Sequence, residues 1–420
     1  MSQTSVSAGN KCQPTGSPRV IEEVVNQTNV PPPSTPLPAT ISCVSAAEGT
    51  WDTIVMGAGV AGCMAARELA RSGLRVLLVE KRSFPRPKVC GGCLNGAAMD
   101  ILARVGLSAT IEAQSGPVLT HFSLRRGSNS MTLPLPGGRA ISRDRLDLNL
   151  ALAAVAAGAD FLPETTANLG AEIQQGRVVE LTQHDGTKSA IARAVIVATG
   201  LGPQGLPDNA EWKIKVTPAA RVGAGCILEG IDSGYPAGTI WMAVGDGGYV
   251  GLVRVEDNRL NIAAAFDLGF VRRHGSPGKA AIHVLSEAGC EIPPQLLDAS
   301  WLGTPPLTRQ TSPVASSGIF LIGDATGYVE PFTGEGMAWG LSAGLHVAPW
   351  VREAVNGWSE GIARGWIREH HTLVRRRQNV CRVLTRLLRC PRLLRGGMFL
   401  LERWPGLLGM VVAKLNAPSR

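Results

Sequence analysis

The pattern of polar and apolar positions divides the chain into a polar start and a long patterned body. Residues 1 to about 48 are rich in Ser, Thr, Pro, Asn and Gln, with the run PPPSTPLP at 31–38. A segment of this composition buries too little apolar surface to offset the entropy of ordering, so we predict a disordered N-terminal extension over 1–48. The patterned body starts at residue 51, where the run TIVM predicts a buried strand.

The body alternates helix-like and strand-like segments. Residues 51–82 predict a strand, a glycine turn, a helix over 60–72 that stops at Gly73, and the strand RVLLVE. The further predicted elements are helices over 94–105, 142–158 and 278–288, strands over 120–136, 167–200 and near GTIWMAV and LNIAAAF, and the strand GIFLIGD at 318–324. From residue 361 the chain is helical and basic.

The first glycine turn has the pattern of a dinucleotide site. Gly57, Gly59 and Gly62 form GxGxxG, which allows a tight turn, a close approach to a pyrophosphate, and helix packing on the strand. The helix N-terminus offers free N–H groups to phosphates, and Glu80 is placed to accept hydrogen bonds from a ribose diol. The predicted cofactor residues of this half are Gly57, Gly59, Val60, Ala61, Gly62, Glu80, Lys81 and Arg82.

A second glycine turn, after GIFLIGD, resembles part of a flavoprotein superfamily. That superfamily includes p-hydroxybenzoate-hydroxylase-like monooxygenases, flavin halogenases and geranylgeranyl reductases, and its Gly-Asp strand end delivers the Asp to the ribityl chain of FAD. Asp324 matches that position. In that superfamily the helix that follows turns its N-terminus toward the flavin pyrimidine edge. The matching residues of this half are Gly323, Asp324, Pro331, Thr333, Gly334, Gly336 and Met337.

The chain is most similar to the geranylgeranyl-reductase-like branch, over roughly 50–350. Three motifs of that branch occur here, at Cys90–Gly92, at Arg143–Leu150 and at Pro331–Gly336. The resemblance implies that Arg143 helps to hold the FAD phosphates or the adenine end. It also implies an FAD-dependent oxidoreductase acting on a hydrophobic prenyl, polyketide or aromatic substrate, by alkene reduction or by monooxygenation. The alternatives are a flavin-dependent halogenase and a non-catalytic partner protein that binds FAD or lipid.

The resemblance implies an α/β fold, with a Rossmann-like FAD-binding domain of the GR2-type flavoproteins, an inserted β-sheet substrate domain and C-terminal helices. The predicted domains are an FAD-binding domain at 51–205 with substrate-domain strands at about 107–140, a substrate-binding domain at 206–305, the second FAD-binding part at 306–355, and basic amphipathic helices at 356–420. Candidate substrate-lining residues are Trp241, Met242, Tyr249 and Phe266.

The stretch KVCGGC at 88–93 allows three interpretations. A metal site would need further ligands, and no His or second CxxC lies nearby, so we expect no metal. A redox disulfide between Cys90 and Cys93 is compatible with a following helix. The interpretation we prefer is a turn that lines the flavin pocket, with Lys88 facing a phosphate, an acidic substrate group or water. The pocket candidates for catalysis are Cys90, Gly91, Gly92, Pro331 and Glu335.

The electron donor is less clearly indicated than the flavin. The hydroxylases carry an Asp-Gly strand end that serves FAD and NAD(P)H, whereas this chain has Ala198, Thr199 and Gly200 there. A second GxGxxG for a nicotinamide domain is also absent. NAD(P)H therefore stays one candidate donor, with direct reduction in the hydroxylase manner in doubt.

Charge is concentrated at the C-terminus. Residues 351–420 hold fourteen Lys/Arg and four Asp/Glu, a net charge of +10, while the whole chain carries +8. This distribution argues against a nucleic-acid-binding body. The tail alternates arginines with apolar residues, which fits helices lying on anionic lipid or helices that cap the fold with arginines in water. Nine scattered cysteines and no signal peptide predict a cytoplasmic protein, or one peripheral to a membrane.

Overall fold

The computed structural model describes residues 36–202, 205–206, 212–231, 234–330 and 334–388. The helices of this part are α1 (Cys43–Ala47), α2 (Val60–Arg71), α3 (Gly96–Arg104), α4 (Ser108–Gln114), α5 (Arg143–Ala156), α6 (Leu268–His274), α7 (Pro277–Glu287), α8 (Gly336–Asn356), α9 (Glu360–His370) and α10 (Arg376–Leu388). A π-helical turn over His371–Arg375 joins α9 to α10.

The strands of the same part alternate with these helices. They are β1 (Thr50–Met56), β2 (Val76–Val79), β3 (Cys93–Asn95), β4 (His121–Arg126), β5 (Asn129–Pro134), β6 (Gly138–Ala140), β7 (Asp160–Leu162), β8 (Thr166–Ile173), β9 (Gly176–Gln183), β10 (Gly186–Val197), β11 (Lys213–Val216), β12 (Val222–Leu228), β13 (Thr239–Gly245), β14 (Gly248–Arg254), β15 (Leu260–Phe266), β16 (Leu302–Pro306), β17 (Arg309–Ser312), β18 (Ala315–Ser316), β19 (Ile319–Leu321) and β20 (Gly327–Tyr328).

An eight-stranded sheet holds both glycine turns. Its strand order is β18-β19-β10-β1-β2-β7, and β19, β10, β1, β2 and β7 run parallel, as the crossover helix α2 requires. β8 and β9 form the predicted ribbon, which continues into the sheet because β10 is one long strand. The parallel strands are apolar and buried, since helices cover them. Both glycine turns therefore leave the carboxyl end of the same sheet.

Helix α2 packs against both α5 and α8. The contact with α8 depends on small residues, because a Cβ atom built on Gly344 would lie 2.8 Å from the Cβ of Met64. This close approach ties the two distant glycine-rich segments together. Gly344 thus has a packing role, and the helix that follows the second turn is held beside the helix that follows the first.

A seven-stranded sheet lies over the carboxyl ends of the parallel strands. Its order is β16-β12-β15-β14-β13-β4-β5, and only the β13–β4 pair is parallel. The strands β4 and β5 come from the segment before α5, so the sheet combines two distant parts of the chain. Helix α7 packs on β13 and β14. The predicted division of the chain into domains stays a prediction.

The prediction of disorder up to residue 48 is wrong for residues 36–48. Thr40 pairs with the edge strand β7, because its N–H donates to the Phe161 carbonyl at 3.0 Å and its hydroxyl accepts from the Phe161 N–H at 2.7 Å. Leu37, Cys43 and Ala46 are buried in the main core. The composition of residues 1–48 is polar on average, so it does not reveal these few buried apolar residues. Residues 1–35 lie outside the described residues.

The C-terminal helices pack onto the main core rather than standing apart. Trp366 of α9 is fully buried and donates from Nε1 to the Leu321 carbonyl at 3.3 Å. Cys381 of α10 is buried as well. Within the described ranges, the helices are all too short or too polar to cross a bilayer. Residues 389–420 of the predicted tail lie outside those ranges.

Candidate functional site

One cavity of about 590 Å³ lies between the two sheets and reaches both glycine turns. Most of the predicted cofactor residues line this cavity. Those that line it are Gly57, Gly59, Val60, Ala61, Glu80, Lys81, Arg82, Arg143, Gly323, Asp324, Gly334, Gly336 and Met337. The pocket candidates Cys90, Gly91 and Glu335 line it too. The structure therefore brings together segments that are some 260 residues apart in the sequence.

The first glycine turn is closely packed where it meets the sheet and open where it meets the cavity. Gly57 has a φ of +105°, and a Cβ atom there would lie 2.6 Å from the Ala198 carbonyl oxygen. A Cβ atom on Gly62 would overlap the carbonyl oxygen of Gly57. Gly59 instead faces cationic side chains across open space, and the nearest is Arg143 Nη2, 3.7 Å from a built Cβ atom. The turn thus exposes its backbone to the cavity beside positive charge.

Glu80 directly follows β2 and holds the first glycine turn in place. Its Oε2 accepts from the Ala58 N–H and from Arg86 Nη2, both at 3.1 Å, and Oε1 accepts from the Arg82 N–H at 3.2 Å. The carboxylate is almost fully buried but lines the cavity. Its predicted role toward a ribose stays a prediction.

Arg143 begins α5 and forms a bidentate ion pair one helical turn later. Its Nε and Nη2 donate to the two carboxylate oxygens of Asp147 at 2.9 and 2.8 Å. Asp147 is fully buried and also pairs with Arg86 Nη1 at 3.1 Å. Burial alone would raise the pKa of Asp147, but Arg143 and Arg86 hold this pKa below its usual value. Both guanidinium groups are thereby fixed at the glycine turn.

Lys88 stands between the first glycine turn and the end of β10. Its Nζ lies 3.9 Å from a Cβ atom built on Gly59 and 3.3 Å from one built on Gly200. Burial and the nearby Arg143 lower the pKa of Lys88, whereas Asp324 opposes this effect. Among the described residues no carboxylate oxygen lies within 4 Å of Nζ, in contrast to Arg143. A cation in this place favours an anionic ligand.

The second glycine turn faces the first one. Gly323 has a φ of +59°, and a Cβ atom there would lie 2.9 Å from the Cβ of Ala61. Asp324 follows in a 3-10 turn and lines the cavity. Gly336 starts α8, so the N-terminus of this long helix opens toward the cavity. The predicted residues Pro331 and Thr333 lie outside the described residues.

The Cys-Gly-Gly turn lies against the seven-stranded sheet. The Cys90 carbonyl accepts from Asn261 Nδ2 at 2.9 Å, and the Cys90 sulfur lies 3.9 Å from the Met337 sulfur. Gly92 has a φ of +67° and packs on Asn261, so it shapes the turn without lining the cavity. Cys93 is buried in β3 with its thiol directed at the Gly91 carbonyl, 3.1 Å away, and burial raises its pKa. Both cysteines are free thiols, and a redox role for them stays a hypothesis.

Glu335 precedes α8 and is buried beside α10. Its Oε2 lies 4.0 Å from the sulfur of Cys381, and its Oε1 has no hydrogen-bond partner among the described residues. Burial raises the pKa of Glu335 to about 7, although Arg377 opposes this change. The carboxyl group is therefore directed at the C-terminal helix, while the residue as a whole borders the cavity.

The far part of the cavity is lined by apolar side chains of the seven-stranded sheet. Met242 and Tyr249 line it as predicted substrate residues, whereas Trp241 and Phe266 do not. Side chains alternate between the two faces of a strand, so Trp241 points away from its neighbour Met242 and packs against Tyr235. Phe266 is fully buried in the core under the other face. Register, rather than residue type, decides which aromatic residues reach the cavity.

Sequence reasoning missed several residues of the site. Arg86 and Asp147 were not singled out, although the R..LD..L motif contains Asp147. Tyr328 also lines the cavity, next to the second glycine turn. A tyrosine directly after Gly-Asp-Ala-Thr-Gly is a signal that the sequence contained, but only the fold shows that its ring points into the cavity.

These residues fit FAD. The open backbone at Gly59, the N-termini of α2 and α8, and the unpaired Lys88 are suited to the phosphates and to the flavin edge. Arg143, Lys88 and the glycine turn would hold the pyrophosphate, and Asp324 would meet the ribityl chain. The cavity continues beyond this region into a part lined by apolar side chains.

We expect Lys88→Gln to weaken FAD binding about ten- to hundredfold. A hydrogen bond to a charged group contributes about 1.5–3 kcal/mol, and about 1.4 kcal/mol corresponds to a factor of ten in Kd. Titration of the apoprotein with FAD, followed by flavin fluorescence, measures this Kd. Lys188→Gln is the matched control, because Lys188 is exposed on β10. Equal Kd values for Lys88→Gln and wild type would exclude Lys88 from the phosphate site.

Comparison with known proteins shows one matching domain family and several similar reductases. Residues 50–199 match the FAD binding domain family. Over 364 residues the chain is 28% identical to menaquinone reductase of Mycobacterium tuberculosis, covering 82% of this chain and 85% of the relative. Over 342 residues it is 26% identical to digeranylgeranylglycerophospholipid reductase of Thermoplasma volcanium, covering 73% and 79%.

A solved structure shares the overall fold. The flavin-dependent brominase Bmp2 superposes with a TM-score of 0.71 at 16% identity, covering 88% of this chain and 94% of that chain. At this identity the likeness shows the fold alone, and it carries no information about the reaction.

Proposed function

Because this chain is an FAD-dependent oxidoreductase of the flavoprotein superfamily that includes the geranylgeranyl reductases, we propose that it reduces a carbon–carbon double bond in a prenyl lipid. The relatives that it matches over most of their length are named for menaquinone and for a digeranylgeranyl glycerophospholipid, both of which carry prenyl chains. Monooxygenation of the same class of substrate is the rival reaction.

The observation that carries this proposal is the continuity of the cavity. Its polar end lies at the glycine turns, and its other end is lined by apolar side chains such as Leu133, Ile240, Met242 and Leu307. Burial of apolar surface contributes about 25 cal/mol per Å², so an extended hydrocarbon chain gains affinity along such a wall. The lining supports a hydrophobic substrate placed beside the flavin.

The residues of the chain have distinct parts in this proposal. When bound, FAD supplies the two-electron redox chemistry. Arg143, Lys88 and the first glycine turn bind the phosphates, and the N-terminus of α8 stabilises negative charge at the flavin edge. The apolar wall orients the lipid and excludes water. Asp324 would bind the ribityl chain.

The test is an anaerobic single turnover with the full-length protein carrying FAD reduced by dithionite. A prenyl alcohol, a quinone with an unsaturated prenyl chain and its fully saturated analogue are added separately. We expect a product with two more hydrogens in its prenyl chain from the unsaturated lipids only. Reoxidation of the flavin is scored with the prenyl alcohol, because a quinone head group accepts electrons from reduced flavin whatever its side chain. No reoxidation would overturn the proposal, and an oxygenated product formed only on adding O₂ would favour monooxygenation. In separate experiments the bound FAD is reduced with NADH, NADPH or a reduced ferredoxin in place of dithionite.

We further propose that α9 and α10 rest on an anionic membrane surface, where a prenyl lipid is found. Exposed apolar residues occur here beside exposed arginines: Ile367, Val380 and Val383 are 38%, 49% and 56% exposed, and Arg364, Arg368 and Arg376 are exposed too. Val380 and Val383 share one face of α10 because they are three residues apart. Apolar residues on a basic helix favour binding at a lipid interface.

Replacing both valines is expected to reduce this binding. Val380→Ser/Val383→Ser should bind vesicles of phosphatidylcholine and phosphatidylglycerol several-fold more weakly, because each buried CH₂ group contributes about 0.8 kcal/mol. Co-sedimentation of the full-length protein measures the effect. Val44→Ser is the control, since Val44 is 51% exposed on α1. Unchanged binding of the double variant, or equal binding to vesicles of phosphatidylcholine alone, would contradict the proposed surface.

A further inference from the structure

Tyr328 places a phenol group at the point where the two ends of the cavity meet. It forms the short strand β20, which pairs with β17, and its side chain lines the cavity. A Cβ atom built on Gly336 would lie 3.5 Å from Cε2 and 3.8 Å from Oη of Tyr328. Because Gly336 begins α8, the phenol stands at the helix N-terminus that faces the flavin edge.

Tyr328 lines the cavity, and its hydroxyl lies beside the N-terminus of α8. Among the described residues we find no hydrogen bond to its Oη. Tyr235, in contrast, donates its hydroxyl proton to the Glu291 carbonyl, away from the cavity. Tyr328 is half-buried, and a hydroxyl without an acceptor among the described residues is available to a ligand in the cavity.

The surroundings keep this phenol protonated. Burial, Asp324, Cys90 and Tyr249 all raise the pKa of Tyr328 well above its ordinary value, and only Arg143 opposes them. A neutral phenol carries its proton throughout the physiological range of pH. The phenol is therefore a proton donor beside the apolar part of the cavity.

Other acidic groups near the cavity are less well placed. The carboxyl group of Glu335 points to Cys381 on α10, and the thiol of Cys93 is directed at a backbone carbonyl. Lys88 lies at the glycine turn, where the phosphates would be bound. Of the groups compared in this paragraph, Tyr328 is the one whose ring lies beside the start of α8 and lines the cavity.

We propose that Tyr328 is a catalytic residue that donates the proton completing the reduction of the substrate double bond. The inference rests on the proposed function. In the reaction the π bond of the alkene breaks and two C–H bonds form. Reduced FAD, when bound, would supply a hydride equivalent to one carbon and would be oxidised, and Tyr328 would donate its phenolic proton to the other carbon. Water in the cavity then restores that proton to the phenolate.

The first test is kinetic. Tyr328→Phe keeps the ring and removes only the acid, so we expect anaerobic reoxidation of the reduced flavin by the prenyl lipid to slow at least a hundredfold. Its Kd for FAD and its rate of reduction by dithionite should stay within twofold of wild type. Tyr235→Phe is the matched control, because it removes a tyrosine hydroxyl that lies away from the cavity.

The second test does not depend on turnover. The chain has three tyrosines, so protein labelled with ¹³C at the tyrosine Cζ gives three resonances, which the Tyr→Phe variants assign. The protein with oxidised FAD is titrated with the unsaturated prenyl alcohol, which this form does not reduce. We expect the Tyr328 resonance to shift and the Tyr235 resonance to stay in place.

The outcomes separate this inference from the proposed function. If wild type reduces the lipid and Tyr328→Phe does so at the same rate, the role of Tyr328 is overturned and the proposed function stands. If wild type reduces none of the lipids, both fall. A Tyr328 resonance that does not respond to a lipid that wild type reduces also overturns the inference.

Discussion

Gly62→Ala is expected to yield a protein that purifies without FAD. The added Cβ atom would overlap the carbonyl oxygen of Gly57, and the position of that carbonyl is held by the backbone of the turn. Helix α2 must then move off the sheet, which displaces the N–H groups that we expect to bind the pyrophosphate. Overpacking a rigid contact costs about 1–3 kcal/mol or more, and the loss of phosphate contacts adds to it. We expect the Kd for FAD to rise more than a hundredfold.

Flavin absorbance per protein and titration of the apoprotein measure this effect. Gly96→Ala is the matched control, because Gly96 also starts a helix and its added Cβ atom would meet no atom within 4 Å. The control should keep the FAD content and the stability of wild type. Should Gly62→Ala bind FAD as tightly as Gly96→Ala, close contact between α2 and the first turn is not what forms the site.

Asp147→Leu is expected to lower the free energy of unfolding by about 3–5 kcal/mol. Asp147 is fully buried and compensates both Arg143 and Arg86, so its removal leaves two guanidinium groups short of a counter-charge in the interior. Breaking a buried ion pair from one side has a cost of this size. Urea unfolding of the apoprotein, monitored by circular dichroism, gives the value.

Two further variants make this result specific. Asp147→Asn keeps the shape and one acceptor, so its loss should be smaller. The difference in the free energy of unfolding between these variants and wild type should also shrink as the pH falls. The pKa of Asp147 is low in the folded state, so its carboxylate stabilises wild type while it is charged and loses this effect when it is protonated. Asp100→Asn, at an exposed site on α3, should have the stability of wild type. A loss under 1 kcal/mol in Asp147→Leu would mean that water or Glu80 replaces the lost charge.

Much of the fold could be predicted from the sequence because its signals are local. The alternation of apolar and polar residues indicated the long helices and most of the sheet strands. The α/β flavoprotein fold that the two glycine turns implied is confirmed by the match of residues 50–199 and by the shared fold of a flavin-dependent brominase. The prediction of disorder was wrong for residues 36–48, because a few buried apolar residues such as Leu37 order this segment although its overall composition is polar.

The candidate site was predictable where backbone geometry selects the residue. Gly57 and Gly323 have positive φ values that favour glycine, and such positions leave a mark in the sequence. The charge cluster gave a weaker signal. Nothing local shows that Arg86 reaches Asp147 from sixty residues away, or that Lys88 is left without a carboxylate beside it.

By itself, then, the sequence determined the two glycine turns, the order of helices and strands, and through them the kind of cofactor. Only the tertiary structure decided which side chains surround that cofactor: it turned Met242 into the cavity and Trp241 out of it, and it brought Tyr328 to Gly336. The reason is physical. Backbone freedom and periodicity act between neighbours in the chain, whereas the contacts of a side chain depend on how distant segments pack.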